Sequence, residues 1–88
     1  MAVIWIPSLM QDLTQGREKV VVNAVNVRDA IELLEEQFPG IKARLCDDDH
    51  LRAGIVVAVD GEVSRLRLRH RLSESNEVHF LPAMSGGS

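Results

Sequence analysis

The sequence has no tyrosine, and Trp5, Phe38 and Phe80 are its only aromatic residues. A core here must be built from aliphatic side chains. It has one cysteine, Cys46, which cannot pair within the chain. That excludes a disulfide-stapled secreted domain and makes a reducing cytoplasm the expected compartment. No apolar run approaches the ~20 residues that a membrane helix needs. The opening Met-Ala-Val-Ile-Trp has no basic stretch ahead of an apolar one, so it does not read as a signal peptide. Positive charge is not in excess either: the formal net charge is −3, and the chain as a whole lacks the polybasic footprint of a nucleic-acid binder. Neither a membrane nor a nucleic acid is therefore an expected partner. There is no Gly-rich phosphate loop. None of the three histidines sits in a visible nucleophile–base arrangement, and Cys46 has no positional signature of a catalytic nucleophile. Independent catalysis and a metal site are not expected.

What is present suits one small domain. The chain has 88 residues, 45% of them apolar, enough for a single core and no more. Ala2–Ile6 is apolar and β-prone and is closed by Pro7, which reads as a strand. Leu9 to Gly16 is a connection, and Glu18–Asn23 is a second strand, making an opening hairpin with a long turn. Asn26 is a preferred helix N-cap, since its side-chain oxygen can accept a free N–H of the first turn. Asp29 places negative charge near the helix start. Val27, Ala30, Ile31, Leu34 and Phe38 give one apolar face, with Glu32, Glu35 and Glu36 on the other. Pro39-Gly40 ends that helix. Ile41–Leu45 suits a short helical turn, and Cys46–His50 a polar loop.

Ile55–Val59 is apolar without alternation and reads as a strand buried on both faces. Asp60-Gly61 is a strong turn signal, with a short return strand at Glu62-Val63. From Ser64 to Leu72, Arg65, Arg67, Arg69 and Arg71 alternate with leucines, which predicts an extended segment with one wet face. After a turn at Ser73–Asn76, Glu77–Leu81 is the last strand, stopped by Pro82. One helix against a mixed sheet of four to five strands is an α+β arrangement, with a domain over 1–83 and a flexible tail over 84–88.

Three groups invite a functional reading, each beside a plainer one. Cys46 and His50 bracket three aspartates. Two soft ligands are too few for structural zinc, and consecutive carboxylates lack calcium-loop spacing, so a solvated acidic loop is the better reading. Cys46 reads as a half-buried loop residue rather than a sulfur relay. The arginines, Arg65 and Arg67 among them, form either a solvated face or a dock for an acidic partner. RNA is a weaker third choice, because no aromatic is interleaved with them. In the first strand, if Ile4 and Ile6 point inward, Val3 and Trp5 point out. On the last strand Val78 and Phe80 then point in, leaving His79 and Leu81 out. Trp5, His79 and Leu81 would form an exposed docking patch beside the tail; the opposite register would bury Trp5.

The element order, with Ile6-Pro7, Val27–Phe38 followed by Pro39-Gly40-Ile41, Arg44-Leu45, Asp60-Gly61-Glu62, and Val78 through Leu81-Pro82-Ala83-Met84-Ser85-Gly86-Gly87, resembles the β-grasp (ubiquitin-like) sulfur-carrier family. That family includes the molybdopterin synthase small subunit, the thiamine-pathway carrier and the carrier used in cysteine synthesis. Pro39-Gly40-Ile41 with Arg44-Leu45 is most similar to the cysteine branch. The resemblance implies a carrier rather than an enzyme. Its terminal glycine, here Gly87, would be adenylated with ATP by a partner of the ubiquitin-activating type. Sulfur would then displace AMP to give a thiocarboxylate, and a synthase would accept the sulfur. Gly86 and Gly87 lack Cβ and can thread a narrow channel, and the partner must supply the charge stabilisation. A ubiquitin-like modifier joined through Gly87 to lysines, or an interaction module with an inert tail, fits the same sequence.

The departure from the family is Ser88. With it attached, Gly87 has no free carboxylate. A pro-form is expected, trimmed by a zinc peptidase of the deubiquitinating type. By themselves, Ser85–Ser88 also suit a flexible linker or a cloning remnant.

Overall fold

The computed structural model describes residues 1–82; the expected tail with Gly86, Gly87 and Ser88 lies outside the described residues. Strands β1 (Ala2–Trp5) and β2 (Lys19–Val22) pair antiparallel, and each buries alternate residues on one face. Helix α1 (Val27–Gln37) starts where the sequence predicts. Asn26 is its N-cap and accepts the Asp29 N–H at 2.7 Å, while the Asp29 carboxylate accepts the Val25 N–H at 3.0 Å. These two bonds satisfy backbone donors at the helix start. Helix α2 (Ile41–Leu45) follows at once. Its cap residue Gly40 has φ 105° and no side chain, so Glu35 reaches over from α1 and accepts N–H bonds from Gly40 and Lys42.

The remaining strands are β3 (Cys46–Asp47), β4 (His50–Leu51), β5 (Ile55–Val59), β6 (Glu62–Val63) and β7 (Glu77–Pro82). The main sheet has the order β2-β1-β7-β5-β6, with β1 and β7 parallel and the other pairs antiparallel. Residues Asp60 (φ 52°) and Gly61 (φ 87°) turn β5 into β6. Two positive φ values in succession are what Asp-Gly tolerates in a tight hairpin.

One face of the sheet packs on α1. Ile4, Val57 and Val78 from the sheet, with Val27, Ile31 and Leu34 from α1 and Ile41 and Leu45 from α2, are fully buried. Each such side chain stabilises the fold by roughly 1.5–3 kcal/mol relative to exposure. Val57 and Val59 of β5 are buried towards α1; on the opposite side Ala58 is buried and Val56 half-buried.

Two expectations are corrected. Cys46–His50 is not an open loop: β3 and β4 form a small hairpin, and Cys46 is buried in the core cluster rather than half-buried. The connection after β1 has its own local order: Ser8–Met10 makes a 3-10 turn, and buried Thr14 ties its hydroxyl to the Gln11 and Arg17 carbonyls. The larger correction is Ser64–Leu72. It is not an extended strand; Arg67–Arg69 is a 3-10 turn, and Arg67 has φ 53°. The arginines do not share one strand face. Strand β7 lies between β1 and β5 while β6 is at the edge, so the chain leaving β6 must cross past α1 to reach β7. Leu68 anchors that crossing in the core, and Leu66 is left exposed.

Candidate functional site

The face of the sheet away from α1 has no covering element among the described residues. Strand alternation assigns its residues. On β7, Val78 and Phe80 are buried inward, and Glu77, His79 and Leu81 project outward. On β1, Ala2 and Ile4 are inward and Val3 and Trp5 outward. Trp5 therefore lies on the outer face, half-buried, as the exposed register requires.

Pairing then builds a row across all five strands. Trp5 is opposite Lys19 on β2 and His79 on β7; His79 is opposite Ala58, and Ala58 opposite Val63. The Trp5 and His79 rings stack with centroids 5.3 Å apart and planes within 7°. The Trp5 indole N–H donates to the Glu77 carboxylate at 2.9 Å. The Lys19 ammonium lies 5.5 Å from the Trp5 ring centroid, within reach of the ring's negative face. Trp5 is thus held on three sides and presents a fixed apolar surface. Leu81 stands one turn of the pleat further along β7, 41% exposed, opposite half-buried Val56. Val63, 61% exposed, ends the row on β6, and Val21, 53% exposed, flanks it on β2. This outward face sets exposed apolar side chains beside Lys19, Glu77 and His79 and is a candidate docking surface.

Trp5, His79 and Leu81 are brought to one face, as the sequence suggests. Arg65 and Arg67 are not; they belong to the crossing segment, which packs against α1 and β4 on the other side of the sheet. Sequence reading did not find Lys19 and Glu77 as the residues that fix Trp5. Parity gives the signal: Glu77 is two residues from His79, so both share a face.

The other candidate chemistry does not assemble. Cys46 is turned into the core while His50 is exposed, and among the described residues no group of three or more His, Cys, Asp or Glu side chains is placed to hold a metal ion. Burial pushes the Cys46 thiol up, away from the thiolate a sulfur relay would use. Hydrogen bonding to Glu32 raises the Lys42 ammonium, and the backbone N–H groups of Lys42 and Gly40 hold Glu35 below the usual carboxylate range. Both are structural ties between α1 and α2. Among the described residues no helix is long and apolar enough to cross a membrane.

One main helix against a mixed five-stranded sheet with β1 and β7 parallel is the β-grasp, or ubiquitin-like, fold. The sequence model of the ThiS family, a family of ubiquitin-like sulfur carriers, matches residues 4–87, and the chain belongs to that family. The matched span ends on Gly87. No curated protein sequence matches the chain. Among solved structures, it is similar to a chain of the Amycolatopsis orientalis BexX/CysO complex, with 29% identity, a TM-score of 0.89, and coverage of 99% of this chain and 100% of that one. It is also similar to Mycobacterium tuberculosis CysO, with 25% identity, a TM-score of 0.86, and coverage of 96% and 100%. SAMP1 from Haloferax volcanii is 25% identical with a TM-score of 0.72, covering 98% of each chain. Membership of this family of sulfur carriers, with likeness to CysO and SAMP1, supports a sulfur-carrier or ubiquitin-like modifier role for this chain rather than a catalytic one.

Proposed function

We propose that the protein carries sulfur as a thiocarboxylate on Gly87 and donates it in cysteine or a related biosynthesis. The observation that carries the reading is the family match that runs through Gly86 and ends on Gly87. The likeness to the CysO structures favours the cysteine branch; molybdenum cofactor and thiamine synthesis are the other branches of the family. A free carboxylate is a poor electrophile, so a partner of the ubiquitin-activating type must convert it to an acyl adenylate with ATP. Sulfur then attacks the acyl carbon, the C–S bond forms, and AMP leaves. No cofactor stays bound to the carrier. The peptide bond between Gly87 and Ser88 must be cleaved first, and a zinc peptidase is the proposed agent. The Trp5, His79 and Leu81 face docks the partner, since it adjoins the strand that leads into the tail. Such a carrier works in the cytoplasm, where its single thiol stays reduced.

Intact-mass measurement tests this. The chain is trimmed at Gly87 and incubated with its adenylating partner, ATP and a sulfide source. A gain of one sulfur-for-oxygen exchange, confined to the terminal glycine, is expected. Absence of that gain with an active partner would overturn it. The likeness to SAMP1, a small archaeal modifier protein by name, favours a second reading, conjugation of Gly87 to lysines. Isopeptide-linked products in cell extract would mark that reading.

A further inference from the structure

We infer that the crossing segment forms a second docking site, separate from the outer sheet face, which takes an acidic and apolar peptide segment of a partner protein. The 3-10 turn brings Arg65, Arg67 and Arg69 together with Arg28 and His50 around an open groove of about 470 Å³. Residues 64–72 contain four arginines and a histidine and no carboxylate. The chain carries a net charge of −3, so this corner is positive on a molecule that is negative overall.

The charge is available. Arg28 is paired with Asp49 at 3.5 Å and donates to its carbonyl at 3.1 Å. No ion pair among the described residues involves Arg65, Arg67 or Arg69. Each is exposed. The turn that presents them is fixed at both ends. Ahead of it the Ser64 N–H donates to the Val57 carbonyl at 2.8 Å; after it the Val27 N–H donates to the His70 carbonyl at 3.0 Å and the Leu72 N–H to the Val25 carbonyl at 2.9 Å. Leu68 is buried beneath. The guanidinium groups are flexible at their tips, but their Cα positions are set by the fold.

The occupant follows from what surrounds the arginines. Leu66 stands among them 52% exposed, a position suited to an apolar side chain between acidic ones. Asp49, paired with Arg28, lines one side of the groove, and Asp47 and Asp48 border the same corner; together they would repel a uniformly anionic surface such as nucleic acid or an anionic bilayer. No Trp, Tyr or Phe side chain lines the groove to stack a base. A peptide places its few carboxylates locally and avoids the aspartates. The groove lies on the helix side of the sheet, so a partner on the Trp5 face leaves it open. Charge complementarity of this kind sets encounter rate and partner choice.

The test uses a short fluorescein-labelled peptide alternating glutamate and leucine, titrated with the full chain by fluorescence anisotropy. Saturable binding is expected that weakens with added salt. The variant Arg65→Glu/Arg69→Glu should weaken it about tenfold or more, with folding checked by circular dichroism. The neutral variant Arg65→Gln/Arg69→Gln, which preserves side-chain bulk, should weaken it less but measurably. Amide shifts in NMR should centre on Leu66–His70. Failure of the peptide to bind, equal binding of a lysine–leucine peptide, tighter binding of oligothymidylate or of phosphatidylserine vesicles, or shifts centred on Trp5 and His79 would each overturn the inference.

Discussion

Trp5 and Cys46 show how far one residue's surroundings decide its use. A lone tryptophan in an aliphatic domain is ordinarily a core residue. Here strand parity excludes it from the core, because Ala2 and Ile4 occupy the inward positions on β1. The sequence left both registers open, because Ala2–Ile6 is apolar throughout and either parity could face the core; the structure takes the one with Trp5 outward. The fixing of Trp5 by Glu77, Lys19 and His79 was not legible either, because it depends on which strands are neighbours. Cys46 makes the converse case. Its acidic neighbours Asp47, Asp48 and Asp49 suggested a wet loop, yet the β3–β4 hairpin turns the thiol inward. A buried thiol with a raised pKa is a poor nucleophile. Reaction of Cys46 with a disulfide reagent at neutral pH should be at least about tenfold slower in the native protein than in denaturant. Equal rates, measured by absorbance of the released thiolate, would show that Cys46 is accessible and reopen its role as a sulfur relay.

At the scale of elements, strands, helices and turns with local signals were readable: the Asn26 cap, the α1 stripe, Pro39-Gly40 and Asp60-Gly61 all act where they stand. The 64–72 crossing was not readable, because alternation of arginine with leucine mimics a strand and the reason against one is topological. A single buried side chain, Leu68, and a residue with positive φ, Arg67, define it. Leu68→Ala should destabilise the domain by about 2–3 kcal/mol through the cavity it leaves. Arg67→Gly removes the left-handed strain of an L-residue, about 1–2 kcal/mol, against a smaller entropic loss. It should therefore be neutral or slightly stabilising in urea unfolding. The reverse order of effects would mean that the turn is not built as described. The α1–α2 junction gives a pH-dependent case. Glu35 caps α2, and the Lys42 and Gly40 N–H groups lower its pKa from the ordinary 4.5. A carboxyl with a depressed folded pKa contributes stability that is complete above its unfolded value and lost as pH falls through the folded one. Glu35→Ala should therefore lower Tm at neutral pH, with the difference narrowing once the pH drops below about 4.5. A Tm gap that is constant from neutral to acid pH would remove the capping role.

For the molecule as a whole, the β-grasp topology separates recognition from chemistry. Strand β7 is central, paired to β1 on one side and β5 on the other, so the segment that leads to the tail is the best anchored in the sheet. Its outward residues His79 and Leu81 belong to the face proposed to dock the partner, and the glycines proposed for activation follow within a few residues. A partner can therefore grip the rigid face and draw the slender end into its own site. Interface energy concentrates in a few central aromatic and apolar anchors, where truncation costs about 2 kcal/mol or more. Trp5→Ala and Leu81→Glu should each weaken the complex with the adenylating partner by tenfold or more, about 1.4 kcal/mol. Leu81 is already 41% exposed, so its variant should keep the wild-type Tm within a few degrees. Gly87→Ala in the trimmed chain should do the opposite: the complex forms with nearly wild-type affinity, but the terminal carboxylate is not converted to a thiocarboxylate, because a Cβ now occupies the threaded end. Calorimetry for binding and intact mass for conversion read the two effects separately. If Gly87→Ala lost the complex while Leu81→Glu kept it, the tail would be the main source of affinity and the sheet face only a scaffold.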